Sequence, residues 1–462
     1  MLRDRYDPMN LFDLVPALSM DLDPVLTQLD QLLDDDTLFQ AVKADLATRH
    51  PRTLIDGRPA TPVEVILRML IVKHLYGWSY EATEQFVSDS LVLRQFCRVY
   101  VERVPDDTTL IRWANLIQPR TLHDLLDHVI DLARQRKVTR GRKLRIDGTV
   151  VETNIHHPTD SSLLNDGVRV LSRTIGRAKQ LLQDVTSLGQ AAFRNRTRSA
   201  KRHAKRIEDA IRKRGDHADA TRQTAYRQLI RITTAIVDQA RQVGAALKNQ
   251  ATHAAHKLAE TLSHMLPQVV QVIDQTTRRV LHGEQVPAPE KIVSLFEPHT
   301  AIIRKDSRAA HTAFGRVIWL SEVDGGLISR YDVLDGNPSE AEQVVPSVDH
   351  HLTRFKRPPR VLAGDRGTHS AGGERYAQDH GVTQVVIPKP GAKSSARRAY
   401  EAQRWFKRGR CWRAGIEGRI SVLKRRYGLE RCRYHGDDGM ERWVGWGVIT
   451  HDLRMIAQAI AR

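Results

Sequence analysis

Cysteine is scarce in this chain of 462 residues, where Cys97, Cys411 and Cys432 are the only three. Because the number is odd and the spacing is wide, the sequence excludes a disulfide framework, and no CxxC pair is present to hold a metal. We therefore expect a protein of a reducing compartment.

Long hydrophobic runs are also missing. The most apolar run, residues 63–76, is interrupted by Glu64, Arg68, Lys73 and His74, whereas a membrane-spanning helix needs about 20 predominantly apolar residues. The opening Met-Leu-Arg-Asp contains no apolar core of a signal peptide. We expect neither membrane insertion nor secretion, and hence a cytoplasmic protein with a sizeable folded core in two or three domains.

Acidic residues are in deficit. Lys and Arg outnumber Asp and Glu by 72 to 54, which gives a net charge of +18. Between Arg173 and Arg214 the imbalance is strongest, with thirteen Lys or Arg against three acids. This excess predicts a polyanionic partner, and nucleic acid is the first candidate.

The N-terminal part, residues 1–138, has helical patterns throughout. Thr61 and Pro62 are typical of a helix start, as an N-cap followed by proline at the first helical position, and they precede a strongly apolar segment. Short helices with tight turns follow at 79–87 and 107–117. The pattern fits a DNA-binding helix-turn-helix, a dimerisation domain or a generic helical bundle, and leaves all three open.

At Lys143 the pattern changes to a β-rich run that ends near residue 154. Alternation along a strand predicts that Asp147, Thr149 and Val151 share one face. An acid within an apolar strand costs free energy unless it is paired or binds a metal. Asp followed by Gly is also a common turn, so both interpretations of Asp147 stay open.

Residues 160–290 interrupt the β pattern with a long helical segment. Arg198, Arg202, Lys205 and Arg206 recur there at helical spacing and predict a basic surface. The segment reads as a helical hairpin or small bundle inserted into another domain. It either contacts DNA or serves as a solvated strut.

The β pattern resumes at Lys291. We predict three antiparallel strands, at 291–297, 314–323 and 326–334, with the last two joined by a turn at 324–326. A helix opened by the capping pattern Ser-Glu-Ala-Glu at 339–342 follows. Two further strands are then predicted, one ending in Asp365 and the other at residues 382–388.

Residues 412–428 form a predicted helix with Arg413, Glu417 and Lys424 on one face. An exposed Arg–Glu pair is the plain alternative. However, a mixed sheet flanked by helices can bring Asp147, Asp365 and Glu417 into one cleft. Three carboxylates suit two-metal phosphodiester chemistry, because Mg²⁺ prefers hard oxygen ligands and keeps open positions for the phosphate.

These motifs resemble the DDE transposases of bacterial insertion sequences. Asp147-Gly-Thr, Gly-Asp365-Arg-Gly and the Arg-x3-Glu-x6-Lys set at 413, 417 and 424 carry the resemblance. The segments ILRMLIVKHLYGWSYE and IEGRISVLKRRYGLERCRYHG are similar to the ISNCY-like branch. The wider signature has Tyr three positions before the Arg, where this chain has Arg410.

The resemblance implies a ribonuclease-H-like catalytic domain in which Asp147, Asp365 and Glu417 bind Mg²⁺ or Mn²⁺, two ions in all. It also implies DNA contacts by Arg413 and Lys424 and a dimer on paired transposon ends. To these DNA contacts we add Arg425 and, from the basic segment, Arg202 and Lys205.

The predicted fold is therefore α/β, a ribonuclease-H-like mixed sheet with flanking helices. We expect a helical N-terminal domain at 1–138, a catalytic domain at 139–159 and 291–462, and a basic helical insertion at 160–290. The predicted protein is a bacterial, cytoplasmic enzyme that joins the nucleoid when bound to DNA. It binds terminal inverted repeats, cleaves them and transfers strands to target DNA. A ribonuclease-H-like nuclease and a non-catalytic end-binding protein are the alternatives.

Overall fold

The computed structural model describes residues 1–6, 23–56, 59–182, 194–213, 215–304 and 312–461. Two compact units are present: residues 1–154 together with 315–462, and residues 155–314. The chain thus leaves the first unit directly after its first strand and returns to it at the second long strand. Each unit has its own cluster of buried apolar side chains.

The described residues before the first strand form seven helices. Helix α3 is buried along almost its whole length, including Arg68, which pairs with Asp30 at 2.6 Å and Asp34 at 2.5 Å. Pro62, and not Thr61, occupies the cap of α3, and no side chain caps this helix. The helices are α1 (Pro24–Leu33), α2 (Asp36–Ala47), α3 (Val63–Tyr76), α4 (Tyr80–Asp89), α5 (Leu91–Phe96), α6 (Asp107–Ala114) and α7 (Pro119–Gln135).

One mixed sheet of seven strands lies in the described chain. In the first unit the strand order is β4-β3-β1-β5-β6; β1 pairs antiparallel with β3 and parallel with β5, while the short β7 extends β1. The strands are β1 (Lys143–Thr153), β2 (Ala301–Arg304), β3 (Thr312–Val323), β4 (Leu327–Leu334), β5 (Val361–Ala363), β6 (Gln384–Val386) and β7 (Arg431–Cys432).

Strand β1 is central, and both of its faces are buried along most of its length. Ile146, Asp147, Val150 and Val151 are all buried. Helices cover both faces of such a central strand, so a period of two in hydrophobicity is lost.

The β3–β4 hairpin follows the prediction closely. Gly325 and Gly326 take positive φ angles of 92° and 78° in the turn, a backbone region that glycine adopts without a steric penalty. The carboxylate of Asp324, beside them, accepts backbone N–H groups from Arg140, Arg142 and Lys143 at 2.6–3.1 Å. The hairpin turn thereby fixes the start of β1.

Helices follow and flank the sheet in the C-terminal half. A single 3₁₀ turn, Glu340–Gln343, precedes α12, and Ser339 makes no side-chain cap hydrogen bond, so the predicted capping pattern was wrong. The helices are α12 (Val344–Phe355), α13 (Ala371–Asp379), α14 (Ser395–Ala402), α15 (Arg404–Tyr427) and α16 (Asp437–Ile460). A mixed sheet in this order with flanking helices is the predicted ribonuclease-H-like arrangement, which is confirmed.

The second unit is mainly helical. Its described helices are α8 (Asp160–Leu182), α9 (Thr197–Ile211), α10 (Asp216–Lys248) and α11 (His253–Thr276). The strand predicted at 291–297 was wrong. Both backbone polar groups of Ile292 are bonded to the side-chain amide of Gln275, at 2.9 and 3.0 Å, and need no neighbouring strand.

Candidate active site

Asp147 lies in the middle of the central strand and is 8% exposed. Its Oδ1 accepts the backbone N–H of Gly148 at 3.0 Å. Strand β3 covers one edge of β1 at this level, with Leu320 opposite Asp147. The carboxylate is therefore largely removed from water, a setting in which an unpaired charge is costly.

Asp365 lies level with Asp147 because of the register between two parallel strands. Arg145 of β1 pairs with Ala363 of β5, so two residues further along each chain bring the two acids to the same height. The turn after β5 fixes the side chain, because Thr368 donates its backbone N–H to Asp365 Oδ1 at 3.0 Å. Parallel pairing therefore places two predicted site residues side by side.

Helix α15 brings the third acid to the sheet, and two glycines allow it to lie close. A Cβ atom at Gly409 would stand 2.5 Å from Val386 of β6, and one at Gly415 would stand 2.5 Å from the guanidinium of Arg145. The buried Phe406 and Ile416 anchor the helix. Close packing at this point carries Arg413 and Glu417 to the edge where Asp147 lies.

Arg413 links the acids. Its Nη2 donates to Asp147 Oδ2 at 2.9 Å and its Nη1 donates to Glu417 Oε1 at 2.9 Å. Arg413 is 19% exposed and Glu417 is 68% exposed, so the helix carboxylate lies at the mouth of the cleft and Asp147 lies within it. The Arg413–Glu417 pair is thus present, but Arg413 also pairs with the buried Asp147.

The electrostatics of the cleft reflect crowded carboxylates. Burial raises the pKa of Asp147 to about 6, the guanidinium of Arg413 opposes the shift, and the charges of Asp365 and Glu417 add to it. Three acids distant in sequence therefore share one electrostatic environment.

A fourth acid, Glu340, also lies here, and sequence reasoning missed it. Burial raises the pKa of Glu340 to about 7, with further contributions from Asp365 and Asp147 and from a hydrogen bond to Asp365. We interpreted Glu340 as part of a helix cap. Only its place between strand β4 and the following helix could have drawn attention to it.

A buried ion pair supports the site from behind. Arg145 on β1 pairs with Glu322 on β3 at 2.5 Å and also donates to the backbone carbonyl of Trp412 on α15. The same guanidinium lies 4.9 Å from the centre of the Trp412 ring. Arg145 therefore fixes the start of the Arg413 to Glu417 turn against the sheet.

Comparison with known families gives two matches along the chain. Residues 13–116 match the model described as Transposase domain (DUF772), and residues 266–453 match the Transposase DDE domain. The chain belongs to the DDE transposases of insertion sequences. It is a DDE transposase enzyme, as predicted. Asp365, Glu417 and Glu340 of this transposase lie inside the second match, and Asp147 precedes it.

Among curated proteins, the transposase is similar to "Uncharacterized protein ORF8 in nfe locus" of Rhizobium meliloti. The two are 28% identical over 143 residues, which is 29% of this chain and 69% of that protein. No solved structure matches the transposase.

DDE transposases generally use divalent metal ions, and the donor chemistry of the cleft fits such an ion. Asp147, Asp365, Glu340 and Glu417 supply only carboxylate oxygens, the ligands that Mg²⁺ and Mn²⁺ prefer. Among the described residues, no three acids, histidines or cysteines already stand in the geometry of a metal site. Glu417 is turned toward Arg413, whose guanidinium lies between Glu417 and Asp147.

The other predicted site residues of the transposase lie elsewhere. Lys424 and the exposed Arg425 lie at the C-terminal end of α15, two turns beyond Glu417. Arg202 and Lys205 are exposed on α9 of the second unit. Among the residues that the structure describes, no helix combines the length and apolar character needed to cross a membrane.

Proposed function

We propose that this transposase binds the terminal inverted repeats of an insertion sequence, cleaves the DNA strand and joins the freed 3′-hydroxyl to target DNA. The observation that carries the proposal is the bridge from Asp147 through Arg413 to Glu417, with Asp365 level with Asp147. Buried like charges are retained at a cost, and such a cluster is typical of a site that binds a cation and a reacting group.

In this proposal the carboxylates of Asp147, Asp365 and Glu417 would bind two divalent metal ions. When bound, Mg²⁺ or Mn²⁺ would supply charge stabilisation and a more acidic hydroxyl at the phosphodiester. Rotation of the Glu417 side chain away from Arg413 would complete the set of oxygen ligands. Arg413 would then be released to donate to a phosphate oxygen, for which its fork of N–H groups is well suited.

A basic cavity near the end of α15 supports DNA binding by Lys424 and Arg425. The cavity has a volume of about 380 Å³ and is lined by six Lys or Arg side chains and two Glu. Glu152, one of the two, is already paired with Arg431 at 2.8 Å. The remaining positive charge favours a phosphate backbone. Lys73 is buried, and the exposed or partly exposed cations are Lys424, Arg425, Arg426, Arg431 and Arg433.

The exposed cations of the second unit extend this proposal. Arg202 and Lys205 lie on the exposed face of α9, whose opposite side is packed through Ala200 and Ile207. We assign them to sequence-independent contacts with long duplex DNA. A helical DNA-binding or dimerisation domain at 1–138, a dimer on paired ends and a cytoplasmic, nucleoid-associated enzyme complete the proposal. Membership of the ISNCY-like branch stays a prediction.

The test is a strand-mapping experiment with the full chain. Labelled DNA that carries a terminal repeat is incubated with Mg²⁺, and the nicked phosphodiester and any joined product are mapped. We expect a nick at the element end and a product joined to target DNA, both lost in Glu417→Gln. Nicks without joined product would favour the nuclease alternative, and cleavage by Glu417→Gln at the wild-type rate would overturn the assignment.

A further inference from the structure

The side chain of Glu340 spans the two strand-borne acids. A Cβ atom at Gly367 would lie 2.3 Å from Glu340 Oε2 and 3.3 Å from Asp365 Oδ1, so the two carboxylates border the same small space. A Cβ atom at Gly148, next to Asp147, would lie 3.5 Å from Glu340 Oε1. One oxygen of Glu340 is therefore at the turn after β5 and the other is at β1.

Ordinary structural roles do not account for this position. Among the described residues, no Lys, Arg or His forms a salt bridge with Glu340, although Arg413 lies within electrostatic range. Glu342 lies two residues further along the same 3₁₀ turn and is exposed to solvent, as is usual for an acid without such neighbours. Carboxylates this close together repel each other unless a proton or a cation lies between them.

The glycine at 367 is part of the same arrangement. Any side chain there would push the Glu340 carboxylate away from Asp365, whereas Gly372 on α13 has no neighbouring atom within 4 Å of such a Cβ. The absence of a side chain at Gly367 thus leaves room for the Glu340 carboxylate. The space beside Asp365 therefore contains a second carboxylate, that of Glu340.

We infer that Glu340 is a fourth acidic residue of the catalytic centre and supplies an oxygen ligand to the divalent cation held by Asp365. The inference rests on the proposed function. It adds to the three acids of the family motif one that comes from the turn before α12. All four acids would then share the charge of the bound cations.

The experiment measures Mn²⁺ binding by the full-length protein without DNA, by titration calorimetry or by the electron paramagnetic resonance signal of free Mn²⁺. We expect Glu340→Gln to weaken Mn²⁺ binding by about tenfold or more, and Glu342→Gln to leave it unchanged. Gly367→Ala, which keeps every carboxylate but displaces Glu340, should also weaken binding, whereas Gly372→Ala should not. Metal-free Glu340→Gln should melt no lower than wild type, because like charges are relieved.

The outcomes separate the two proposals. Wild-type Mn²⁺ affinity in Glu340→Gln, together with weakened binding in Asp365→Asn, overturns the role of Glu340 alone. Unchanged affinity in Asp147→Asn and Asp365→Asn as well would overturn the proposed metal centre. A fall in the melting temperature of Glu340→Gln with Mn²⁺ affinity retained would identify Glu340 as a structural residue of the turn before α12 and would also overturn the inference.

Discussion

The central sheet of the first unit and helix α9 of the second unit of this transposase carry charge in opposite ways. In the first unit charged side chains lie inside: Asp147 is 8% exposed, and Arg145 and Glu322 form a buried pair at 2.5 Å. In the second unit the cations of α9, such as Arg202 and Lys205, lie on the exposed face, above buried apolar residues. The sheet of the first unit accepts the cost of burying charge, and helix α9 of the second unit leaves its cations in water.

The difference separates two kinds of function. A buried carboxylate interacts strongly with whatever replaces water around it, so its removal changes chemistry at one point. An exposed cation acts on a polyanion at long range, is screened by salt and is one of several that act together. We therefore expect large effects confined to a single step from the buried acids of the first unit, and graded, salt-dependent effects from the exposed cations.

Removal of a buried acid is the strongest test of this comparison. We expect Asp147→Asn and Asp365→Asn each to lower strand cleavage by about 10³-fold or more, because each removes a proposed metal ligand. DNA affinity should stay within about twofold, since phosphate attraction does not depend on these acids. Nicking assays and gel shifts on the same DNA measure both. Asp379→Asn, which changes an exposed acid, is the matched control. Strand cleavage by the Asp147→Asn variant would contradict the comparison.

A buried cation of the first unit provides a test on stability. Burial, with the charge of Arg433, lowers the pKa of Lys73 from 10.5 to about 7, and the rings of Tyr80, Tyr434 and Trp443 surround its ammonium group. Between these two pH values the unfolded chain binds a proton that the folded chain lacks, so the free energy of unfolding should rise with pH.

We expect the wild type to gain on the order of 3 kcal/mol relative to Lys73→Met between pH 7 and 10. Denaturant unfolding at several pH values measures this gain. Substitution of an exposed lysine, Lys407→Met, should leave the pH dependence of the wild type intact. If the difference in unfolding free energy between wild type and Lys73→Met does not change with pH over this range, the environment of Lys73 does not disfavour its charged form.

The exposed cations of the second unit should give a smaller, graded effect. We expect the double change Arg202→Ala and Lys205→Ala to weaken DNA binding by about tenfold near 0.1 M salt, and to reduce the slope of log affinity against log salt by about 2. Fluorescence anisotropy over a salt series measures both quantities. Lys257→Ala, an exposed cation on α11, is the control; an unchanged slope in the double variant would assign α9 to a solvated strut.

The smallest expected effect belongs to Lys424, one of several cations around the basic cavity. Lys424→Ala should weaken DNA binding a few-fold, equally for specific and unrelated sequences, and reduce the salt slope by about 1. Lys407→Ala, at the other end of α15, serves as the comparison in the same salt series. If Lys424→Ala alters cleavage and not affinity, Lys424 acts at the reacting strand and is no mere backbone contact.

Much of the site was predictable because local rules place its parts. A strand that ends in an acid and a glycine turn predicted Asp365, and helical spacing predicted that Arg413 and Glu417 share a face. The β3–β4 turn followed from its glycines. The strand predicted at 291–297 was wrong because the side chain of Gln275 hydrogen-bonds to the backbone of Ile292. No local sequence pattern indicates a hydrogen-bond partner on a helix elsewhere in the chain.

The sequence alone determined the character of this protein: its positive charge, its helical and β segments, and the Arg-x3-Glu-x6-Lys spacing on one helix are local properties of the chain. Only the tertiary structure decided that Asp365 stands level with Asp147, because strand register depends on pairing between residues more than two hundred positions apart. It also decided that Glu340 faces Asp365 and that Arg413 joins Asp147 to Glu417. Such contacts arise from packing between distant segments, which no single segment encodes.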